Sequence, residues 1–238
     1  MTKKYEMLKV KDPSDKNHIK VPILADLPFK LAIVGKSQVS LGKTTIILNL
    51  LLRKKYYRDY FKGENIYIIS NNNVDKKLSI LMEELDLPES NFMAFDEDVL
   101  EALYDNLEEE HEEEKKKKQK LIIFDDVAYS NGLKGSQTGI ISKIVMNGRH
   151  ILLSSIFSSQ KFSLMGTNLR SQLTGIFIGG TSTKELELIE QDVNFLENKR
   201  MFMKIMRDNT KGRNFVFINF TNTEDEGIYL NSNFKKIA

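Results

Sequence analysis

The stretch Phe29-Lys-Leu-Ala-Ile-Val-Gly-Lys-Ser-Gln-Val-Ser-Leu-Gly-Lys-Thr-Thr45 constrains this chain more than any other. A short apolar run, a Gly/Ser loop and a helix start follow one another, which is the layout of a phosphate-binding P-loop. Leu31, Ala32, Ile33 and Val34 form the run expected of a strand buried on both faces. Ile46, Ile47, Leu48, Leu50, Leu51 and Leu52 supply a helix able to pack back on a sheet. A helix start exposes N–H groups that lack intrahelical partners, and these suit phosphate oxygens. Gly35, Ser40, Gly42, Lys43, Thr44 and Thr45 are therefore expected to hold a nucleotide. Lys43 would reach the β- and γ-phosphates, and the Thr44 hydroxyl would hold Mg²⁺.

The spacing departs from the usual motif, a Gly, four residues, then Gly-Lys-Thr. Gly35 comes two residues early, and Ser37 stands where the first Gly belongs. Either Ser37 substitutes for it or the loop is two residues longer. A Gly/Ser turn with no ligand is the bland alternative. The strand before the loop and the helix after it favour the nucleotide.

At 238 residues the chain has room for one α/β domain with a sizeable core. Residues 1–28, with three of the four prolines, read as an N-terminal extension that wraps the domain or stays mobile, and residues 29–238 as the domain. A net charge of +2 argues neither for nor against nucleic acid. The absence of cysteine excludes disulfides and Cys-ligated metals and fits a reducing compartment. No signal peptide and no membrane-length apolar run is visible, so a cytoplasmic protein without a membrane partner is expected.

Further elements follow from pattern. Arg53–Arg58 reads as a basic helix end, Asn65–Ser70 as a strand, and Val74–Leu87 as a helix stopped by Pro88. Asn91–Phe95 is a short strand candidate. Asp98–Lys118 reads as a helix in which Glu112, Glu113 and Glu114 each have a Lys four residues on. Near the end, a capping box at Ser182 and Glu185, a helix over Phe195–Met206 and strands over Asn214–Phe220 and Gly227–Leu230 are expected. Lys199, Arg200, Lys204, Arg207, Lys211 and Arg213 stand against one acid, Asp208. They read either as a phosphate-tracking surface or as an ordinary exposed helix and turn.

Two more stretches carry chemistry. Lys120-Leu-Ile-Ile-Phe-Asp-Asp126 is an apolar strand ending in an acidic pair, the Walker B pattern. Asp125 is expected to bind the Mg²⁺ held on its other side by Thr44, and Asp126 to polarise an attacking water. A helix over Gly139–Met146 then leads to Asn147-Gly-Arg-His150, a strand over His150–Phe157, and Ser158-Ser-Gln160. A strand inserted after Walker B and ending in a polar residue marks the subclass with an extra strand between the two Walker strands. Gln160 is expected to sense the γ-phosphate or orient water.

Gly42-Lys-Thr-Thr45, the Asp125-Asp126 ending and Asn147-Gly-Arg-His150 followed by Gln160, in this order, resemble the FtsK–HerA superfamily. Within it they are most similar to the genome-packaging ATPases of poxviruses, other large DNA viruses and virophages, the chain's size suggesting the virophage type. The loop is two residues longer than in many relatives, with Lys43 and Thr44 still matched. The resemblance implies an additional-strand, RecA-like P-loop NTPase of the α/β class, with a mostly parallel central sheet flanked by helices. It implies ATP and Mg²⁺ as cofactors, a homo-oligomeric ring that translocates double-stranded DNA into a viral capsid or portal vertex, and a place in the host cytoplasm, a viral factory or the virion. A neighbouring subunit often supplies an arginine to the γ-phosphate in such rings; Arg149 and Arg170 are the candidates. A cellular or plasmid DNA pump and a non-hydrolysing nucleotide-binding scaffold stay open as rivals.

Overall fold

The computed structural model describes residues 18–36, 42–71, 76–127, 133 and 139–238. In chain order the elements are β1 (Lys30–Val34), α1 (Lys43–Leu52), β2 (Ile66–Ser70), α2 (Lys76–Glu84), β3 (Phe92–Met93), α3 (Glu97–Glu113), β4 (Lys120–Asp125) and α4 (Ile140–Asn147). Then come β5 (Leu153–Ser159), α5 (Thr167–Ser171), β6 (Gly175–Ile178), α6 (Thr183–Val193), α7 (Lys199–Asn209), β7 (Val216–Asn219) and β8 (Tyr229–Asn231). They build one eight-stranded sheet in the order β3-β2-β4-β5-β1-β6-β7-β8. Strands β1 to β6 pair in parallel; β7 joins antiparallel to β6, and β8 antiparallel to β7. The α/β class and mostly parallel sheet match the expectation, and β5 is inserted between β4 and β1.

The central strands are buried on both sides, which is why they read as unbroken apolar runs. Their alternation still sorts side chains to two cores. Ala32, Val34, Ile122, Phe124 and Phe157 face the layer of α3, α4, α5, α6 and α7, and the Phe124 and Phe157 rings stack at 4.8 Å. Leu31, Ile33, Leu121, Ile123 and Ile156 face α1 and α2. Residues 18–28 close this second core with buried Val21, Leu24, Ala25 and Leu27, and the Tyr57 hydroxyl donates to the Ala25 carbonyl (2.7 Å).

Several boundaries differ from those read off the pattern. Helix α1 ends at Leu52 with no basic residue in its last turn, so Arg53–Arg58 is not a helix end but a turn that buries Tyr56 and Tyr57. Helix α3 stops at Glu113; Lys117 donates its amine to the carbonyls of His111 and Glu112, capping the helix, while of the expected pairs Glu114–Lys118 forms at 3.6 Å. The chain has to leave the helix there to enter β4 at Lys120. His150 lies outside the strand: Gly148–Ile151 form a 3-10 turn and β5 begins at Leu153. Asn198 caps α7, its side chain accepting from the Met201 N–H, so that helix starts four residues later than expected. Ser182 does accept from Glu185 N–H (3.3 Å), but the Glu185 carboxylate goes to Ser163, at 2.6 Å from its hydroxyl and 2.9 Å from its amide. The tertiary contact replaces half of the capping box.

Candidate active site

The C-terminal tips of β2, β4, β5, β1 and β6 lie abreast. Ser70 is in register with Asp125, Asp125 with Ser158, and Val34 with both Ser159 and Ile178. The chain leaving β1 is stitched to both neighbours. Gly35 N–H donates to the Ser159 carbonyl (3.2 Å), Gly179 N–H to the Val34 carbonyl (2.8 Å), and Lys36 N–H to the Gly180 carbonyl (3.2 Å). Parallel strands present such a crevice outside their C-terminal ends, where α/β sheets bind ligands.

Gly42 precedes α1 in the left-handed region (φ 54°), a conformation glycine adopts without strain. Among the described residues no side chain caps α1, and a helix start presents backbone N–H groups that suit an anion. Lys43 is buried at this start, Thr44 is half-buried and Thr45 is exposed. Ser40, with Ser37 and Leu41, lies outside the described residues.

The acidic pair occupies the tip of β4. Asp125 is buried and accepts a short hydrogen bond from the Ser158 hydroxyl (2.6 Å). Asp126 has left the strand with φ 55°, uncommon for any residue but glycine though tolerated by Asp and Asn. That turn brings its Oδ2 to 3.4 Å from Gln160 Nε2, while its Oδ1 is buried without a hydrogen-bond partner among the described residues. A buried carboxylate oxygen left so costs roughly 1–3 kcal/mol, a strain typical of sites that wait for a ligand. Asp125, Asp126 and the Ser158 hydroxyl offer only oxygen atoms, as does Thr44 at the start of α1, and oxygen suits a hard cation such as Mg²⁺.

Asp125, Asp126 and Gln160 are therefore brought together at the adjacent tips of β4 and β5. The two arginines are not. Arg149 is exposed in the 3-10 turn before β5, at the opposite end of that central strand and one strand length, ~20 Å, from the tips. Arg170 is half-buried on α5, paired with Asp192 (3.3 Å) and placed 5.2 Å over the Phe162 ring. A residue the pattern did not point out is Lys77, whose amine donates to Thr45 Oγ1 (3.0 Å). Its signal was present: the first turn of α2 carries Lys76 and Lys77 and no acid, against the preference of a helix N-terminus.

Among the described residues no helix is long and apolar enough to cross a membrane. The family described as Poxvirus A32 protein matches residues 16–230 of the chain. No curated protein matches it. Among solved structures, B204, the DNA-packaging ATPase from Sulfolobus turreted icosahedral virus, is 13% identical with a TM-score of 0.61, the match covering 92% of this chain and 100% of that one. The genome packaging NTPase B204 from Sulfolobus turreted icosahedral virus 2, in complex with AMPPCP, is 16% identical with a TM-score of 0.59, covering 88% and 98%. ATPases 2 and 3 of EssC from Geobacillus thermodenitrificans are 16% identical with a TM-score of 0.53, covering 71% of this chain and 35% of that one. At these identities the likeness is one of fold.

Proposed function

The chain belongs to the Poxvirus A32 protein family, and from that membership we propose that it is an ATP-hydrolysing motor that moves double-stranded DNA into a viral capsid. The observation that carries the reading is the acidic pair at the tip of β4, with Gln160, just past the inserted strand, 3.4 Å from Asp126. B204, which shares this fold, is described as a DNA-packaging ATPase.

Each residue then has a role. Amides at the start of α1 hold the β-phosphate, and Lys43 neutralises the β- and γ-phosphates. Thr44 and Asp125 would hold Mg²⁺, which would supply charge stabilisation to the transferring phosphoryl group. Ser158 keeps the Asp125 carboxylate in its rotamer through the 2.6 Å bond. Asp126 accepts the proton of the attacking water, and Gln160 orients that water and reads the presence of the γ-phosphate. Lys77, through Thr45, ties α2 to the phosphate end of α1.

The neighbour in a ring would supply the last charge. Arg149 suits that role better than Arg170: it is exposed, far from its own loop, and makes no ion pair among the described residues, whereas Arg170 is engaged by Asp192. The DNA contact is assigned to α7, where Arg200, Lys204 and Arg207 are exposed at helical spacing. Such contacts are to phosphates and blind to sequence.

ATP hydrolysis measured with and without double-stranded DNA tests the reading. Wild type should hydrolyse ATP faster on DNA, and Lys43→Ala should reduce turnover by a factor of about 10² or more. Binding without hydrolysis in the wild type would leave a nucleotide-dependent scaffold; hydrolysis indifferent to DNA would remove the motor.

A further inference from the structure

The first residue of β1 is a lysine in a place where burial disfavours charge. Lys30 is 9% exposed, yet its amine has no carboxylate and no hydrogen-bond partner among the described residues. Its backbone is clamped. The Lys30 N–H donates to Thr174 Oγ1 (2.8 Å), and its carbonyl accepts from the Thr174 N–H (2.8 Å) and hydroxyl (3.2 Å). Alternation along β1 puts the Lys30 side chain on the face of Ala32 and Val34, the face covered by α4 and the turn after it. That turn carries Arg149. Leu152 closes it in the left-handed region (φ 58°), and the Leu152 carbonyl accepts from the Lys120 N–H (3.0 Å), which fixes the turn to the sheet.

Two cations therefore share this end of the sheet. Burial first, and the Arg149 guanidinium second, hold the Lys30 amine below its ordinary 10.5. Lys120, the first residue of β4, makes the contrast. It is 0% exposed, but the Glu114 carboxylate lies 3.5 Å from its amine. The fold gives one buried lysine a counter-charge and leaves the other beside an arginine. A buried charge without a partner is costly, and groups placed so gather at functional sites. An anion brought by another molecule would relieve both cations at once. Distance decides which anion that can be. Lys30 lies ~13 Å along β1 from Val34 at the strand tip, farther than a lysine side chain reaches, so a nucleotide on its own subunit is out of range.

We propose that Lys30 and Arg149 together receive a phosphate group held by a neighbouring subunit, the γ-phosphate of its ATP, with Lys30 as a second cation acting in trans. This assignment rests on the ring reading above and adds Lys30 to it. In the reaction, water bonds to the γ-phosphorus, the bond to the β–γ bridging oxygen breaks and ADP leaves with that electron pair. The water proton goes to Asp126 of the subunit that holds the nucleotide. Negative charge on the γ-oxygens and the leaving oxygen is what the two cations offset.

Lys30→Met keeps the stem and removes the charge. It should fold with a Tm at or above that of wild type, because an unpaired buried charge is gone. It should lower kcat for ATP by about 10²-fold with KM within about threefold, and Lys30→Arg should recover part of the loss. Mixed assemblies, isolated through a different affinity tag on each variant, give the decisive readout. Lys30→Met retains Lys43, and Lys43→Ala retains Lys30, so assemblies containing both should turn over faster than either variant alone. No gain in mixed assemblies, or Lys30→Met turnover within about threefold of wild type, would overturn the proposal. So would a Tm lowered by several degrees, which would show the amine compensated within its own chain. DNA backbone phosphates are the other source of the same chemistry. Weakened DNA binding with DNA-independent hydrolysis unchanged would assign the pair to DNA and overturn the trans role. If the wild type hydrolyses no ATP, the motor reading itself fails and this inference with it.

Discussion

Replacing Asp126 by Asn should abolish turnover and yet stabilise the fold. The carboxylate sits on a left-handed residue at the tip of β4, with Oδ1 buried and unpartnered and Oδ2 3.4 Å from Gln160 Nε2. Asn has nearly the same volume, tolerates φ 55° and can still accept from Gln160. It removes a charge whose burial is only partly compensated, so the relief is the difference between burying an unpaired charge and an unpaired amide, about 0.5–1 kcal/mol. For a chain of this length that raises Tm by about 1–4 °C. Losing a general base costs ~10²–10⁴ in kcat, or about 2.7–5.5 kcal/mol of barrier. Paired measurements of DNA-stimulated ATP hydrolysis and of thermal unfolding of the ligand-free protein check both signs. Hydrolysis within tenfold of wild type would make Asp126 a turn residue only, and a Tm lowered by several degrees would show that its carboxylate is compensated.

Other outcomes follow from the same geometry. Arg170→Ala should destabilise by about 1–3 kcal/mol in urea titrations, because the residue is paired with Asp192 and packed on Phe162. Arg149→Ala, on an exposed turn, should stay within about 0.5 kcal/mol yet lose turnover under conditions where the subunits assemble. Glu114→Gln should cost about 1–3 kcal/mol, since it leaves the Lys120 amine, 0% exposed, without the carboxylate 3.5 Å away; Lys120→Met should be close to neutral. Burial pushes the Glu114 carboxyl up, but Lys120 and the Lys118 amide outweigh it and hold its pKa below the ordinary 4.5. The folded state therefore binds this proton less readily than the unfolded chain. The associated stability is present above pH 4.5 and is lost as pH falls through the lower folded value, so Glu114→Gln should flatten that acid limb. Gly63→Ala should cost about 1–3 kcal/mol by chemical denaturation, because a Cβ there would lie 1.9 Å from the Leu85 carbonyl oxygen.

The sequence by itself determined the local units: β1 with the helix after it, β4 running into two acids, and β5 running into Gln160. Each is written in contiguous residues, as an apolar run for a doubly buried strand followed by the residue its tip requires. The expectation that β5 lies between the two Walker strands came from the subclass pattern, not from periodicity, and the sheet order agrees with it. Element ends were not, because a helix stops where tertiary geometry redirects the chain, as at Glu113, where Lys117 turns to cap carbonyls. Only the folded chain could decide contacts between distant residues. It joined Lys77 to Thr45, hung Ser158 on Asp125, gave Arg170 its partner within the same subunit, and carried Phe234 to the flank of α1. Periodicity reports which face of an element is buried; which partner meets that face depends on strand order and direction, and these exist only once the sheet has formed.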